Sequence, residues 1–331
     1  VRLGFIISRA AAVDETWTTV ALAVAALQAG HQVRVMERGD LEVDGRGRLV
    51  ARGFVFEDPG ARAEHIADSL RGGWADRRFV DVERLDVVLL RSAPMTADLI
   101  SFAQMLKDRG VRVVNDPDGL GRVSSKAWLA SLPDVPTPPT VVTRSLVAAT
   151  QFYRQQRRGC VIKPSRGSGG RGVVYVPPGQ RNRLDEAFEI CARWDAPVVV
   201  QAYLEAAADG EKRLLWLDGQ IIGGYLRSRA PGEFRHNLKC GGSASGSEVI
   251  DEEKSLLQPL APHLIRLGIR FAGLDLIGKH LIEVNAVNPG GTFHADRLSG
   301  TTHAQTVVQR LLSFSPRITT LESSTWALHD H

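Results

Sequence analysis

An α/β protein of more than one lobe is what the sequence predicts, and three observations carry that prediction. Apolar runs of strand length alternate with helical periods through residues 3–115, a proline-rich stretch interrupts them at Pro133–Pro139, and shorter strands with tight turns follow. Leu3–Ile7 reads as the first strand. Thr18–Ala29 is an alanine-rich helix, with Asp14, Thr16 or Thr18 to cap it and Gly30 to close it; Gln32–Met36 then completes one βαβ unit. A hairpin is expected at Asp44-Gly45. Asp86–Leu90 is a buried strand, Ala97–Arg109 a helix stopped by Gly110, and Val111–Val114 a strand ending on Asn115. Short strand–helix–strand connections imply a parallel sheet covered by helices.

Pro133-Asp-Val-Pro-Thr-Pro-Pro139 cannot be a helix interior and reads as a stiff connector between lobes. Beyond it, Cys160–Lys163, Gly172–Val176 and Val198–Tyr203 are strands and Asp185–Arg193 a helix, a small α+β unit. The last third holds a hairpin at Asp218-Gly219, a helix over Asp251–Leu267 stopped by Gly268, and two paired strands, Phe271–Ile277 and Leu281–Asn285. After Ser313 no period is evident.

Composition removes several function classes. The chain has 331 residues, 44% hydrophobic and 24% charged, enough apolar material for more than one core and unlike disordered, collagen-like or disulfide-scaffold chains. Its 41 Lys and Arg against 37 Asp and Glu leave a net charge of +4, too mild for a nucleic-acid partner. Cys160, Cys191 and Cys240 form neither a C-x-x-C pair for zinc nor a disulfide framework, which points to a reducing cytoplasm. The longest apolar run, Val20–Leu27, falls far short of the ~20 residues of a membrane span, and no signal-peptide pattern is present, so a cytoplasmic protein without a membrane partner is expected.

The loudest local signal is Lys163-Pro-Ser-Arg-Gly-Ser-Gly-Gly-Arg-Gly172. Gly167, Gly169 and Gly172 have the G-x-G-x-x-G spacing, but a dinucleotide fingerprint must open a helix, and Val173-Val174-Tyr175-Val176 reads as a strand. What remains is a glycine-rich hairpin loop with a lysine on its incoming strand, able to lay backbone N–H groups over phosphates. A merely flexible hairpin is the plain alternative.

A second signal is Gly273-Leu-Asp-Leu-Ile-Gly-Lys-His-Leu-Ile-Glu-Val-Asn285. Glu283 and Asn285 share a strand face. A three-residue loop at Gly278, Lys279 and His280 would set Asp275 opposite Glu283, whereas a two-residue loop would turn it behind the sheet. In the first arrangement, hard oxygen donors converge in apolar surroundings and suit Mg²⁺ bridging phosphates. A third, weaker signal is Gln201-Ala-Tyr-Leu204 followed by Asp209-Gly210-Glu-Lys-Arg213, with Arg227, Arg235 and Asn237 in or before a glycine-rich 228–246 stretch that would suit a mobile lid clamping phosphate.

Taken in order, these pieces resemble an ATP-grasp enzyme, and most closely the bacterial glutathione synthetase family. The resemblance also rests on Val-Val-Asn-Asp-Pro at 113–117, the helix carrying Lys126, and Gly-Glu-Phe-Arg-His-Asn-Leu at 232–238, and it runs to about residue 313. It implies a three-domain ATP-grasp fold: an N-terminal parallel-sheet α/β domain over 1–122, a small α+β lid domain over 123–198, a C-terminal antiparallel-sheet α+β domain over 199–315, and a tail over 316–331.

Carried over by position, Lys126 and Lys163 would contact ATP phosphates, with Ser168, Gly169 and Gly170 of the loop folding over them. Gln201, Tyr203 and Leu204 would hold adenine, and Asp209 the ribose. Arg213, Arg227 and Asn237 would serve phosphoryl transfer, and Asp275, Glu283 and Asn285 would ligate Mg²⁺, with Mn²⁺ as an alternative. The reaction implied activates a carboxylate as an acyl phosphate, which an amine attacks to give an amide. A homodimer or homotetramer is implied by the same analogy.

Departures fall near the substrates. Arg91-Ser-Ala-Pro-Met95 stands where the family reads Arg-Lys-Asp-Pro-Pro, and Ala286–Asp296 replaces a Thr-Ser-Pro-Thr-like turn. Arg91, Arg235, Asn288, Gly290 and Gly291 are the substrate candidates, and His294, Asp296 and Arg297 could read polar groups. The expectation is a ligase for a small amino-acid or peptide-like substrate, with glutathione synthetase proper and a non-catalytic ATP-binding protein as the competing readings.

Overall fold

The computed structural model describes residues 1–73, 77–167, 169–193 and 196–313, so Ser168 and the 316–331 tail lie outside the described residues. Three sheets organise the chain. The first has the order β4-β3-β2-β1-β5-β6. It is built from β1 (Arg2–Ile7), β2 (Gln32–Val43), β3 (Leu49–Phe56), β4 (Arg78–Asp81), β5 (Val87–Arg91) and β6 (Arg112–Val114). β1 pairs in parallel with β2 and β5, and β5 with β6, as the βαβ pattern requires. β3 and β4 add antiparallel at one edge, so the sheet is mixed rather than wholly parallel. The reason is local: Asp44 accepts from the backbone N–H groups of Arg46 and Arg48 and folds the chain straight back.

Helices α1 (Thr18–Gln28) and α2 (Ala63–Arg71) and α3 (Ala97–Asp108) cover this sheet. The α1 cap differs from expectation. Trp17 is the N-cap and offers no side-chain bond, while Asp14 is spent on Thr16. Alternation decides the two cores: Leu3, Phe5 and Ile7 of β1 pack with α1 and with the last helix, α11 (His303–Ser313), whereas Ile6 joins the α3 side.

Two short helices, α4 (Pro117–Val123) and α5 (Lys126–Ala130), lead into the second sheet, ordered β7-β10-β8-β9 and antiparallel throughout. Its strands are β7 (Thr140–Thr143), β8 (Cys160–Pro164), β9 (Val174–Val176) and β10 (Val198–Ala202), backed by α6 (Leu146–Arg154) and α7 (Arg181–Ala192). Since β10 pairs with β7 and β8, the expected boundary after residue 198 falls inside a strand of this sheet.

The third sheet, β13-β12-β11-β14-β15, comprises β11 (Glu211–Leu217), β12 (Gln220–Ser228), β13 (Ser243–Gly246), β14 (Phe271–Ile277) and β15 (His280–Asn285). β13 is an edge strand on β12, so the end of the supposed lid is part of a sheet. The helix expected over Asp251–Leu267 is two helices, α8 (Asp251–Leu257) and α9 (Leu260–Arg266), because Pro259 has no N–H to continue the ladder. Helix α10 (Thr292–Ser299) follows β15.

Asn115, at the end of β6, laces the first and third sheets. Its Nδ2 donates to the carbonyls of Phe271 and Ala286, and its Oδ1 accepts from the N–H groups of Arg270 and Phe271. Leucine there would leave these buried groups without partners, so Asn115→Leu should cost about 3–5 kcal/mol in denaturant titrations.

Candidate active site

Strand parity brings the chemistry to one face of the third sheet. Leu214 and Trp216 of β11, and Ala272, Leu274 and Leu276 of β14, point into the core. Glu211, Arg213 and Asp275 therefore point the other way, and cross-strand pairing sets Arg213 beside Asp275 and Glu211 beside Arg227.

The β14–β15 turn resolves the open question of register. Ile277 pairs with His280, so the turn is the two-residue Gly278-Lys279, which by itself would misplace Asp275. A bulge at Ile282 restores the parity, and Asp275 lies opposite Glu283.

Asp275 is the hub. Arg213 donates to it through Nε and Nη2, at 2.5 and 3.0 Å, Arg227 Nη2 lies 2.7 Å from Oδ1, and Asn285 Nδ2 donates to Oδ2 at 2.9 Å. Burial alone would raise its pKa, but the two guanidinium groups outweigh burial and hold the carboxyl down at about 2. Glu211 behaves oppositely. Burial first, then the charge of Asp275, pushes its carboxyl up to about 7 despite its ion pair with Arg227. A folded pKa above the unfolded one means stability that is complete below pH 4.5 and lost as pH rises through 7. Glu211→Gln removes this titration; relative to that variant, the native protein should lose on the order of 3 kcal/mol over that window, measured by denaturation at pH 4.5 and pH 8.

The second sheet supplies the lysines. Lys163 on β8 is 7% exposed and donates to Gln201 Oε1 at 2.9 Å, and Gln201 in turn donates to Thr140. Burial lowers its pKa to about 8, so it is an ammonium short of counter-charge. Lys126, opening α5, reaches Glu283 at 3.0 Å and the Gly167 carbonyl at 3.1 Å. Between β8 and β9, Gly167, Gly169, Gly170 and Gly172 all have positive φ, a backbone that side chains rarely adopt. A Cβ on Gly170 would come within 2.9 Å of Asn237 Oδ1, and Arg235 donates to the Gly170 carbonyl at 3.0 Å, so the glycine loop lies directly against the 229–242 segment. Arg235 is otherwise held by Glu233.

These groups line one cavity. Lys126, Lys163, Gly167, Gly169, Gly170, Gln201, Tyr203, Leu204, Arg235, Asn237, Asp275 and Glu283 all face it. Its apolar walls are Val161, Phe234, Ile277 and Ile282, with Tyr175 stacked on Tyr203 at 4.4 Å. Asp209 does not line it: the residue is exposed, and Glu211, two positions on, is the acid that faces inward. Glu211, Phe234 and His236 are lining residues that sequence reasoning left unassigned. The signal for Glu211 was its place two residues from Arg213, on the same strand face.

The substrate candidates cluster at the start of α10, on the other side of Arg213. Arg213 Nη1 donates to the Gly290 carbonyl at 3.1 Å. Arg91, 4% exposed, donates to Thr19 Oγ1 and to the Pro289 carbonyl, and no carboxylate among the described residues pairs with it; burial brings its pKa down to about 9. Thr18 Oγ1 accepts from the N–H groups of Gly291 and Thr292, a cap delivered from α1. Asn288 has φ 96°, and its Oδ1 is buried without a partner, as are Thr292 Oγ1 and Arg227 Nε. Asp296 is engaged by His303, and Arg297 is exposed.

Whether a dication fits is a matter of donor chemistry. No group of three or more His, Cys, Asp or Glu suited to a metal exists among the described residues. Asp275, Glu283 and Asn285 instead offer two carboxylates and an amide on adjacent strands, a hard-oxygen set that leaves positions for phosphate oxygens and water. The set fits a small hard cation.

Residues 1–121 match the family described as prokaryotic glutathione synthetase, N-terminal domain, and residues 125–300 match prokaryotic glutathione synthetase, ATP-grasp domain. The glutathione synthetase of Synechococcus elongatus is 33% identical over 309 residues, covering 90% of this chain and 94% of that protein. That of Pseudomonas syringae pv. tomato is 31% identical over 292 residues, covering 86% and 88%. Among solved structures, D-cycloserine synthetase DcsG aligns with a TM-score of 0.66 at 19% identity, over 93% of this chain and 99% of that one. The VanG D-Ala:D-Ser ligase from Enterococcus faecalis aligns at 0.64 with 16% identity, over 94% and 98%. At such identities the structural likeness speaks for the fold alone, and that fold is the three-domain ATP-grasp arrangement.

Proposed function

The chain belongs to the prokaryotic glutathione synthetase family, and from that premise we propose how its cavity works and what class of substrate it takes. It is an ATP-dependent carbon–nitrogen ligase, and the family uses ATP with a divalent metal ion. The proposed reaction transfers the γ-phosphoryl group of ATP to a carboxylate; an amine then attacks the acyl phosphate, forming the C–N bond and expelling phosphate. The substrates are small amino acids or peptide-like molecules.

The observation that carries this reading is the convergence on one cavity of Lys126 and Lys163, the glycine loop, and the Asp275–Glu283 pair. Lys126, Lys163 and the N–H groups of Gly169 and Gly170 bind phosphate oxygens, while Gln201, Tyr203, Leu204 and Phe234 enclose the base. Asp275, Glu283 and Asn285 would hold Mg²⁺, or Mn²⁺ in its place, which would supply neutralisation of phosphate charge. Arg213 and Arg227 keep Asp275 ionised, and the unsatisfied Arg227 Nε is left for an anionic oxygen in the transition state. Arg91 takes a substrate carboxylate, with Asn288, Gly290 and Gly291 beside it and Arg235 and Asn237 closing the loop side. The domains divide near residues 122 and 202, and the enzyme acts in the cytoplasm as a homodimer or homotetramer. No helix among the described residues is long and apolar enough to cross a membrane.

The test is ADP and phosphate release from ATP and Mg²⁺ with pooled amino acids and dipeptides, products identified by mass. Release that depends on γ-glutamylcysteine and glycine together would identify glutathione as the product. ATP binding without any substrate-dependent release would replace the ligase reading with that of a binding protein.

A further inference from the structure

The turn that opens α10, where the substrate is proposed to lie, is flanked by two polar groups that the proposed reaction does not use. Tyr225, on β12, is 2% exposed, and its ring abuts the turn that opens α10: a Cβ on Gly291 would lie 3.1 Å from Tyr225 Cε1 and 3.3 Å from its hydroxyl oxygen, with Arg213 Cγ also at 3.3 Å. His294, three residues further along, is half-buried with its ring centroid 5.6 Å from that of Tyr225. Among the described residues neither the Tyr225 hydroxyl nor either ring nitrogen of His294 makes a hydrogen bond, and neither is sealed in the core as an orphan. A buried phenol and a half-buried imidazole that hydrogen-bond to none of the described residues, side by side beside the α10 turn, have their polar ends available to a ligand.

We propose that Tyr225 and His294 are specificity-determining residues that hydrogen-bond a neutral polar group on the side chain of the amine-bearing substrate. The inference rests on the ligase reading above. The position decides which substrate is read: the lysines and the glycine loop occupy one side of the Arg213–Asp275 pair, and the α10 turn the other, farther from the nucleotide. The amine adds over a face of the acyl carbonyl, and the side filled by the departing phosphate, the lysines and the glycine loop is closed to it, which leaves the α10 side.

The charge balance decides the chemical class. Arg213 and Arg227 face this corner from β11 and β12 but are paired with Asp275 and Glu211, and Arg297 on α10 is exposed to solvent. β13, which also packs on α10, contributes only Ser243, Ala244, Ser245 and Gly246. Burial, with Arg297 and Arg227 adding to it, lowers the His294 pKa, so the imidazole is neutral and offers one donor and one acceptor. A hydroxyl or carboxamide suits such a pair, since a phenol and a neutral imidazole offer counter-charge to neither a carboxylate nor an ammonium.

The test uses the full-length enzyme with ATP, Mg²⁺ and γ-glutamylcysteine or single amino acids as carboxylate donors. Glycine, alanine, serine, asparagine and aspartate are compared as amines, read by amine-dependent ADP release and product mass. Serine or asparagine should exceed alanine and aspartate in kcat/KM by at least about tenfold. Tyr225→Phe, which keeps the ring, and His294→Leu should each bring the ratio to alanine toward one through KM for the polar amine, a change that general loosening of the fold would not produce. Equal use of serine, asparagine and alanine, a preference for aspartate, or a preference surviving both substitutions would overturn the inference while leaving the ligase reading intact. Absence of ADP release with every amine would remove both.

Discussion

Glu283→Gln should lower ligation about a thousandfold while leaving the folded protein almost as stable as before. The two halves of that expectation have separate physical origins. Among the described residues Glu283 pairs with Lys126 alone, its side chain is 27% exposed, and Lys126 keeps a second acceptor in the Gly167 carbonyl. A partly solvated pair of this kind contributes up to about 1 kcal/mol, so denaturation midpoints should barely move. Catalysis asks more of the same carboxylate. Opposite Asp275 on β15, it is half of the anionic set available to a dication, and an amide of the same shape has no charge to offer one. Steady-state ADP release and a denaturant titration on the same preparation check both halves. Activity within tenfold of the native enzyme would remove Glu283 from the catalytic centre.

Much of this site could be read from the chain because strand parity is a short-range rule. Glu283 and Asn285 share a face whatever the rest of the molecule does, and the glycine loop between two apolar runs could only be a hairpin. Where the reading stopped, a non-local or irregular feature intervened. Asp275 faces Glu283 through a two-residue turn plus a bulge at Ile282, and nothing in Leu281-Ile-Glu announces the extra residue. Both turn lengths lead to workable hairpins; the burial of Leu274, Leu276 and Leu281 selects the bulged one. Asp209 and Glu211 are equally acidic, and only the geometry of β11 shows which points inward. The break before Leu260 was legible at Pro259, but the apolar period continuing across it masked the stop. Thr18 capping α10 from 273 residues away is beyond any local rule.

Asp275→Asn, by contrast, should damage the fold and the chemistry together. The carboxylate is 2% exposed and pairs with two guanidinium groups that are themselves 8% and 4% exposed. Removing its charge leaves Arg213 with no carboxylate and Arg227 with only Glu211, the acid whose ionisation is already disfavoured. Breaking a buried pair from one side typically costs about 3–5 kcal/mol, because the stranded charge keeps its desolvation penalty without its partner. Loss of activity alone could then be ascribed to unfolding, so the informative protein is the double variant. Arg213→Gln added to Asp275→Asn removes the stranded cation, and about 1–3 kcal/mol of the lost stability should return. Ligation should not return, since the double variant lacks both the carboxylate proposed to hold the metal and an arginine proposed to serve phosphoryl transfer. Stability recovered in the double variant would assign Asp275 the role of the anion that lets two arginines be buried there, and activity kept by Arg213→Gln alone but absent from the double variant would assign it the oxygen-donor role as well. Activity that recovered along with stability would leave Asp275 the structural role alone.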